Sequence, residues 1–171
     1  AGHLTKLAVL LIEYFTMVPV ESGLYQDSSV QVAQMLSTVA QGEVLNSNEP
    51  GKFHKRFLSF VDDKIKKLTK LKVEFSVIKA GYLENISKVD ESIDSLEDVS
   101  SNDNFTENHK YYLASLYEKQ GDYDKSTDLI MEVLDKDPKN AHAWNFLGYS
   151  LSERGVDLNK AFEYISKAVE I

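Results

Sequence analysis

The 171-residue chain has no cysteine, which excludes disulfides, thiolate nucleophiles and cysteine-ligated zinc. Exported bacterial proteins often lack cysteine too, so the absence leaves the compartment open. Three prolines and eight glycines are too few for an all-β chain built on many tight turns. Long apolar runs are missing as well. The most apolar stretch, LAVLLI at 7–12, ends at Glu13, whereas a membrane-spanning helix needs about 20 apolar residues. Lys6 is the only charge ahead of this run and no A-x-A follows it, so the layout of a signal peptide is lacking. The run is expected to be a helix buried in a soluble domain, with no integral membrane segment. The chain opens on Ala-Gly-His. A bacterial cytoplasmic location and a periplasmic or lipoprotein-domain one, after removal of an export signal, both stay open.

Positive charge is also scarce. The net charge of −8 disfavours nucleic acid as a general partner. Its distribution is uneven: −4 over residues 1–50, +6 over 52–79 and −10 over 81–171. The basic stretch reads as the solvated face of a long helix, with an anionic docking patch as the alternative.

What the sequence does contain is helical periodicity. Leu4, Leu7, Leu11, Tyr14, Phe15 and Val18 recur at three-to-four spacing and stop at Pro19. Gly23 is expected in a turn. Ser28 and Gln31 resemble a capping box that opens a helix with Val32, Met35, Leu36 and Val39 inward. NSNEPG at 46–51 is a break. Beyond it, Phe57, Val61, Ile65, Leu68, Leu71, Phe75 and Ile78 trace one stripe over one or two helices.

The second half repeats with a period of 34. Leu113, Ala114 and Tyr117 stand 34 residues before Leu147, Gly148 and Leu151, and Leu83, Ser92, Leu96 and Val99 stand 34 before Tyr117, Ser126, Ile130 and Val133. A period of 34 built from paired helices is a solenoid signature. The motif carrying it is Trp144, Leu147 and Gly148, with Leu151 in a tyrosine slot, followed by Ala161, Ile165 and Ala168. The preceding copy has Leu113, Ala114, Tyr117, Gly121, Ser126, Ile130, Val133 and Pro138, with Lys110 where the tryptophan would stand. The last copy carries one extra residue between Gly155 and Ala161. These residues resemble the tetratricopeptide repeat, in its bacterial form, strongly over 107–171, more weakly over 73–106, and not at all over 1–72.

The resemblance implies an all-α fold: a right-handed superhelical stack of antiparallel helix pairs. It divides the chain into a helical region at 1–72 and repeats at 73–106 (degenerate), 107–140 and 141–171. Small residues let paired helices cross closely, which accounts for a glycine in mid-helix at 148 despite a propensity penalty of about 1 kcal/mol. Ala114, Gly148, Ala161, Ala168 and Ser126 are the small positions; Leu113, Tyr117, Trp144, Leu147 and Leu151 fill the space around them. Gly121 and Gly155 end first helices, and Asn140 caps the helix that follows Pro138.

First helices line the inner face of such a stack. Tyr111, Tyr112, Ser115, Lys119, His142, Asn145, Phe146 and Tyr149 are therefore expected in a groove, with Asn108, Glu118, Ser152 and Glu153 beside them. Tyrosine and phenylalanine supply contact area with few rotors, which suits a peptide or helix as ligand. Relatives that hold chaperone carboxylate tails use lysine, asparagine and arginine at set positions. Here those positions are Val77, Gly81, Tyr112, His142 and Phe146, so that clamp is missing.

Chemistry is hard to find. His3, His54, His109 and His142 form no H-x3-H or HExxH pattern, and no phosphate-binding or nucleophile motif is present. No cofactor or metal is expected. The leading reading is a non-enzymatic protein-interaction module or assembly scaffold, with a protein or peptide partner and no nucleic acid. A second is self-association through the end of the stack at Ile171, giving a homo-oligomer. A third is an enzyme with its site in 1–72, where only Glu13, Glu21 and Asp27 are candidates near the start.

Overall fold

A computed structural model describes residues 2–17, 23–45 and 51–171. Pro19, Glu21, residues 46–50 and the side chain of Asp27 lie outside the described residues. Among the described residues there are nine α-helices, one 3-10 turn and no strand. They are α1 (Gly2–Met17), α2 (Gly23–Leu45), α3 (Lys52–Lys67), the turn at Thr69–Leu71, α4 (Lys72–Asn85), α5 (Val89–Glu97), α6 (Glu107–Gln120), α7 (Tyr123–Lys136), α8 (Ala141–Glu153) and α9 (Leu158–Glu170). They divide into two compact units, Ala1–Phe105 and Thr106–Ile171. The first unit thus includes the α4–α5 pair over the degenerate copy.

In the first unit, Ala8, Ile12 and Phe15 of α1, Ala33, Leu36 and Ala40 of α2, and Phe57 and Val61 of α3 form one buried cluster with Phe75, Tyr82 and Leu83 of α4. This is why α4 packs on α2 and α3. The stripe over 57–78 is divided between α3 and α4, with Ile65, Leu71 and Ile78 only partly buried.

Two details of the first half differ from expectation. The buried face of α1 is Ala8, Ile12 and Phe15, while Leu4, Leu7 and Tyr14 are exposed. The helix is apolar nearly all round, so two stripes satisfy the same spacing, and the one containing alanine allows closer approach. Helix α2 starts at Gly23 rather than after a turn, which puts Ser28 inside it. Ala33 and Ala40, not Met35, share the buried face with Leu36.

The basic stretch is not uniformly solvated. Lys64 is 1% exposed. Its Nζ donates to the Phe15 carbonyl at 2.8 Å, one of the last-turn carbonyls of α1 that have no partner within their helix. His54 is buried as well: its Nδ1 meets the Tyr82 hydroxyl, and its backbone N–H donates to Glu43 Oε2 at 3.2 Å. Burial, then the Lys88 charge, lowers the pKa of His54. Burial and the Glu43 carboxylate push Tyr82 up to about 12.

In the second unit α6 pairs with α7 and α8 with α9. Each start and stop has a local cause. Thr106 and His109 form a capping box at the head of α6. The side chains of Asp122, Asn140 and Asp157 accept from Lys125, Ala143 and Lys160 backbone N–H groups to cap α7, α8 and α9. Gly121 closes α6 with φ +88°, a left-handed conformation that favours glycine. Ala114, Ile130, Val133, Leu134, Ala143 and Leu147 make the core. Ser126 is fully buried, and its Oγ has no hydrogen-bond partner. Its counterpart 34 residues earlier, Ser92, donates from Oγ to the Ala80 carbonyl at 2.8 Å.

The tryptophan slot is filled in two ways. Trp144 stacks on Tyr164 of α9 at a centroid distance of 5.2 Å, lies under Lys167 Nζ at 4.6 Å, and donates from Nε1 to the Pro138 carbonyl at 2.9 Å. In the preceding pair Lys110 takes the slot, and its Nζ donates to Glu132 Oε2 at 2.6 Å. Glu132 and Lys167 are themselves equivalent positions of the second helices, so an ion pair in one hairpin replaces a cation–ring contact in the next.

Candidate partner-binding groove

Residues three and four apart on α6 (107, 108, 111, 115, 118, 119) and on α8 (142, 145, 146, 149, 153) share a face of their helix. Two adjoining cavities lie between these faces. One, of about 400 Å³, is lined by Glu107, Asn108, Tyr111, His142, Asn145, Phe146 and Tyr149. The other, of about 440 Å³, is lined by Ser115, Glu118, Lys119, Phe146, Tyr149, Ser150 and Glu153. Phe146 and Tyr149 line both, so the two cavities form one groove. Tyr149 is 61% exposed, while Phe146 is half-buried against Tyr111, with ring centroids 6.2 Å apart.

Seven of the eight side chains expected in the groove therefore line it. The eighth, Tyr112, is half-buried and lines neither cavity. Trp144 packs against Tyr164 of α9, Gly148 lies against Ala161 and Ile165 of α9, Leu147 is buried in the core with Ile130 and Leu134 of α7, Ala168 is half-buried on α9, and Leu113, Ala114 and Tyr117 are buried on α6.

The groove's polar groups are fixed by neighbours. Asn140 is the keystone of one end: its Oδ1 accepts from the Tyr111 hydroxyl at 3.0 Å and from the Ala143 N–H at 3.0 Å, and its Nδ2 donates to Glu107 Oε1 at 2.6 Å. Burial and the adjacent Glu107 carboxylate push the Tyr111 hydroxyl up to about 12. At the other end the buried Ser150 hydroxyl donates to Glu118 Oε1 at 2.7 Å. A hydrogen bond to Glu153 and its charge raise the pKa of Tyr149. Glu107 and Ser150 were missed by the sequence reading. Glu107 could have been found, since it stands four residues before Tyr111 on the same helix. Ser150 is recognised only through Glu118, 32 residues away.

Elsewhere, a cavity of about 540 Å³ in the first unit is lined by Ile12, Glu13, Thr16, Lys55, Arg56, Ser59, Phe60 and Asp63. Two of its carboxylates form ion pairs, Glu13 with Arg56 at 3.7 Å and Asp63 with Lys67 at 2.8 Å. Among the described residues no helix is long and apolar enough to cross a membrane.

No protein-family model matches the chain, and no curated protein matches it. Solved structures do. A MamA RS-1 double mutant is similar with a TM-score of 0.54 and 19% identity, over 98% of this chain and 93% of that one. A crystal structure of MamA is similar with a TM-score of 0.51 and 18% identity, over 90% of this chain and 94% of that one. A further MamA structure has a TM-score of 0.50 and 17% identity, over 99% and 92%. MamA is a tetratricopeptide-like helical protein, so the chain has that class of fold, an all-α solenoid of helix pairs. At these identities the likeness carries the fold alone.

Proposed function

We propose that the protein is a non-enzymatic interaction scaffold that holds a peptide or helix of a protein partner in the groove between α6 and α8. The observation that carries this reading is the pair of aromatic side chains, Phe146 and Tyr149, shared by two adjoining cavities, with Tyr149 mostly exposed. An exposed aromatic beside a pre-formed concavity is the usual anchor of a recognition surface. Three carboxylates, Glu107, Glu118 and Glu153, line the groove against one ammonium, Lys119. That balance favours a segment carrying lysine or arginine alongside its apolar anchor. The affinity expected of such an interaction is micromolar, about −8 kcal/mol.

The test is partner capture from the native source by the wild-type chain and by a Tyr111→Ala/Tyr149→Ala variant whose helical circular dichroism and Tm are checked alongside. Loss of the captured partner with the fold intact supports the groove. Undiminished capture by the folded variant overturns it.

A further inference from the structure

The basic stretch at 52–79 has no part in the α6–α8 groove. In the first unit it borders a cavity of about 340 Å³ between α3, α4 and α5. Three ammonium groups line this cavity: Lys66 of α3, and Lys72 and Lys79 of α4. Two hydroxyls stand on its wall, Ser76 of α4 and Ser95 of α5. Lys72, Ser76 and Lys79 follow at spacings of four and three, so helix periodicity puts them on one face of α4.

These groups are not equally engaged. Lys79 Nζ donates to Asp62 Oδ1 at 2.9 Å, and Ser95 Oγ donates to the Glu91 carbonyl at 2.8 Å. Lys66 and Lys72 form no ion pair among the described residues. Ser76 is 2% exposed, yet its hydroxyl has no hydrogen-bond partner among the described residues. A buried hydroxyl is normally paired, and this one lines a cavity that can hold its partner.

The charge balance gives that partner its sign. Two carboxylates also border the cavity. Asp62 is committed to Lys79, which leaves Asp98 against Lys66 and Lys72, a balance of one positive charge in a chain of net charge −8. Helix α4 starts at Lys72 without a side-chain cap, and the positive end of its dipole adds to that balance. A phosphate group offers three acceptor oxygens and up to two negative charges, which matches two ammonium groups and one hydroxyl donor. A carboxylate offers half that charge.

We infer that this cavity binds a phosphate group, carried by a small phosphorylated molecule or by a phosphorylated side chain. Lys66 and Lys72 neutralise its charge, and Ser76 Oγ donates to one of its oxygens. The site shares no residue with the α6–α8 groove and does not depend on it.

The test is a titration of the full chain with sodium phosphate at pH 7.5, above the second phosphate pKa of about 6. Sodium chloride holds the ionic strength constant, and amide chemical shifts are followed by NMR. Saturable shifts over residues 72–79 are expected, with a Kd of about 1 mM or tighter. Ser76→Ala and the double variant Lys66→Gln/Lys72→Gln are each expected to weaken binding about tenfold. The Tm of the phosphate-free protein is expected to stay unchanged or rise in both, since neither change removes a bond that the fold uses. Parallel titrations with glycerol 3-phosphate and with N-acetyl-phosphoserine amide separate the two sources. Tighter binding of the first assigns the site to a free metabolite, and of the second to a phosphorylated side chain. Shifts that grow without saturation, or saturable binding that either variant leaves unchanged, overturn the inference.

Discussion

Gly148 and Ile165 touch at a point where no side chain fits. A Cβ at 148 would stand 2.6 Å from Ile165 Cγ1, 3.0 Å from the Ala161 carbonyl oxygen and 3.1 Å from the Ile165 backbone nitrogen. Two of these three atoms are backbone, and the third belongs to a β-branched side chain with little freedom at χ1. The hairpin closes to this distance because α8 offers hydrogen where α9 offers its main chain.

Gly148→Ala accordingly pits two effects against each other. Alanine gains about 1 kcal/mol in helix propensity. Overpacking a close crossing costs about 1–3 kcal/mol, and backbone neighbours on α9 put this site toward the upper end. A net loss of about 1–2 kcal/mol is expected in urea unfolding of the full chain. Equal or greater stability would mean that the two helices separate without penalty.

The small position on the second helices gives a contrast in sign. Ser126 is buried with an unpartnered hydroxyl, and its equivalent in the next copy is already alanine, Ala161. Removing an unsatisfied buried hydroxyl is expected to leave stability unchanged or raise it by about 1 kcal/mol. Ser92→Ala, which deletes the bond to the Ala80 carbonyl, is expected to lower stability by about 0.5–1.5 kcal/mol. Parallel denaturation curves decide the matter; a loss at 126 as large as that at 92 would contradict this assignment.

His54 gives the first unit an acid-sensitive step. Burial and the Lys88 charge keep its imidazole neutral below its ordinary pKa of 6.5 in the folded chain. Unfolded chains protonate near 6.5, so acidification below that value favours the unfolded state, and above it His54 contributes no pH dependence. The slope from this one group is at most about 1.4 kcal/mol per pH unit. Between pH 7.5 and 5.5 the wild type is expected to lose more stability than His54→Gln. Equal losses would show that the imidazole titrates normally in the folded protein.

The helix pairs of 107–171 were legible because their signals are local. Glycine at 121 and 155 and asparagine at 140 act within a turn of where they stand, and the small residues at 114, 126, 148 and 161 recur at a fixed spacing that marks the close crossing of each helix pair. Most of the groove followed, since Tyr111, Phe146 and Tyr149 take their direction from helix periodicity. Long-range partners were hidden. Lys64 stands on the apolar stripe, seven residues after Phe57 and three after Val61, but the Phe15 carbonyl that receives its ammonium is 49 residues away, and no local signal names that partner. The inner face of α1 was hidden for another reason: its leucines cluster on the face beside Ala8, Ile12 and Phe15, so the most apolar stripe in sequence is not the one that is buried.

The most direct measurement of the central claim is site-specific photo-crosslinking in the native source. Benzoylphenylalanine replaces either Tyr149, in the α6–α8 groove, or Met131, exposed on α7. The expected result is a discrete adduct from position 149 that is absent from position 131. Adducts of the same protein from both positions, or from position 131 alone, would contradict the groove as the binding surface.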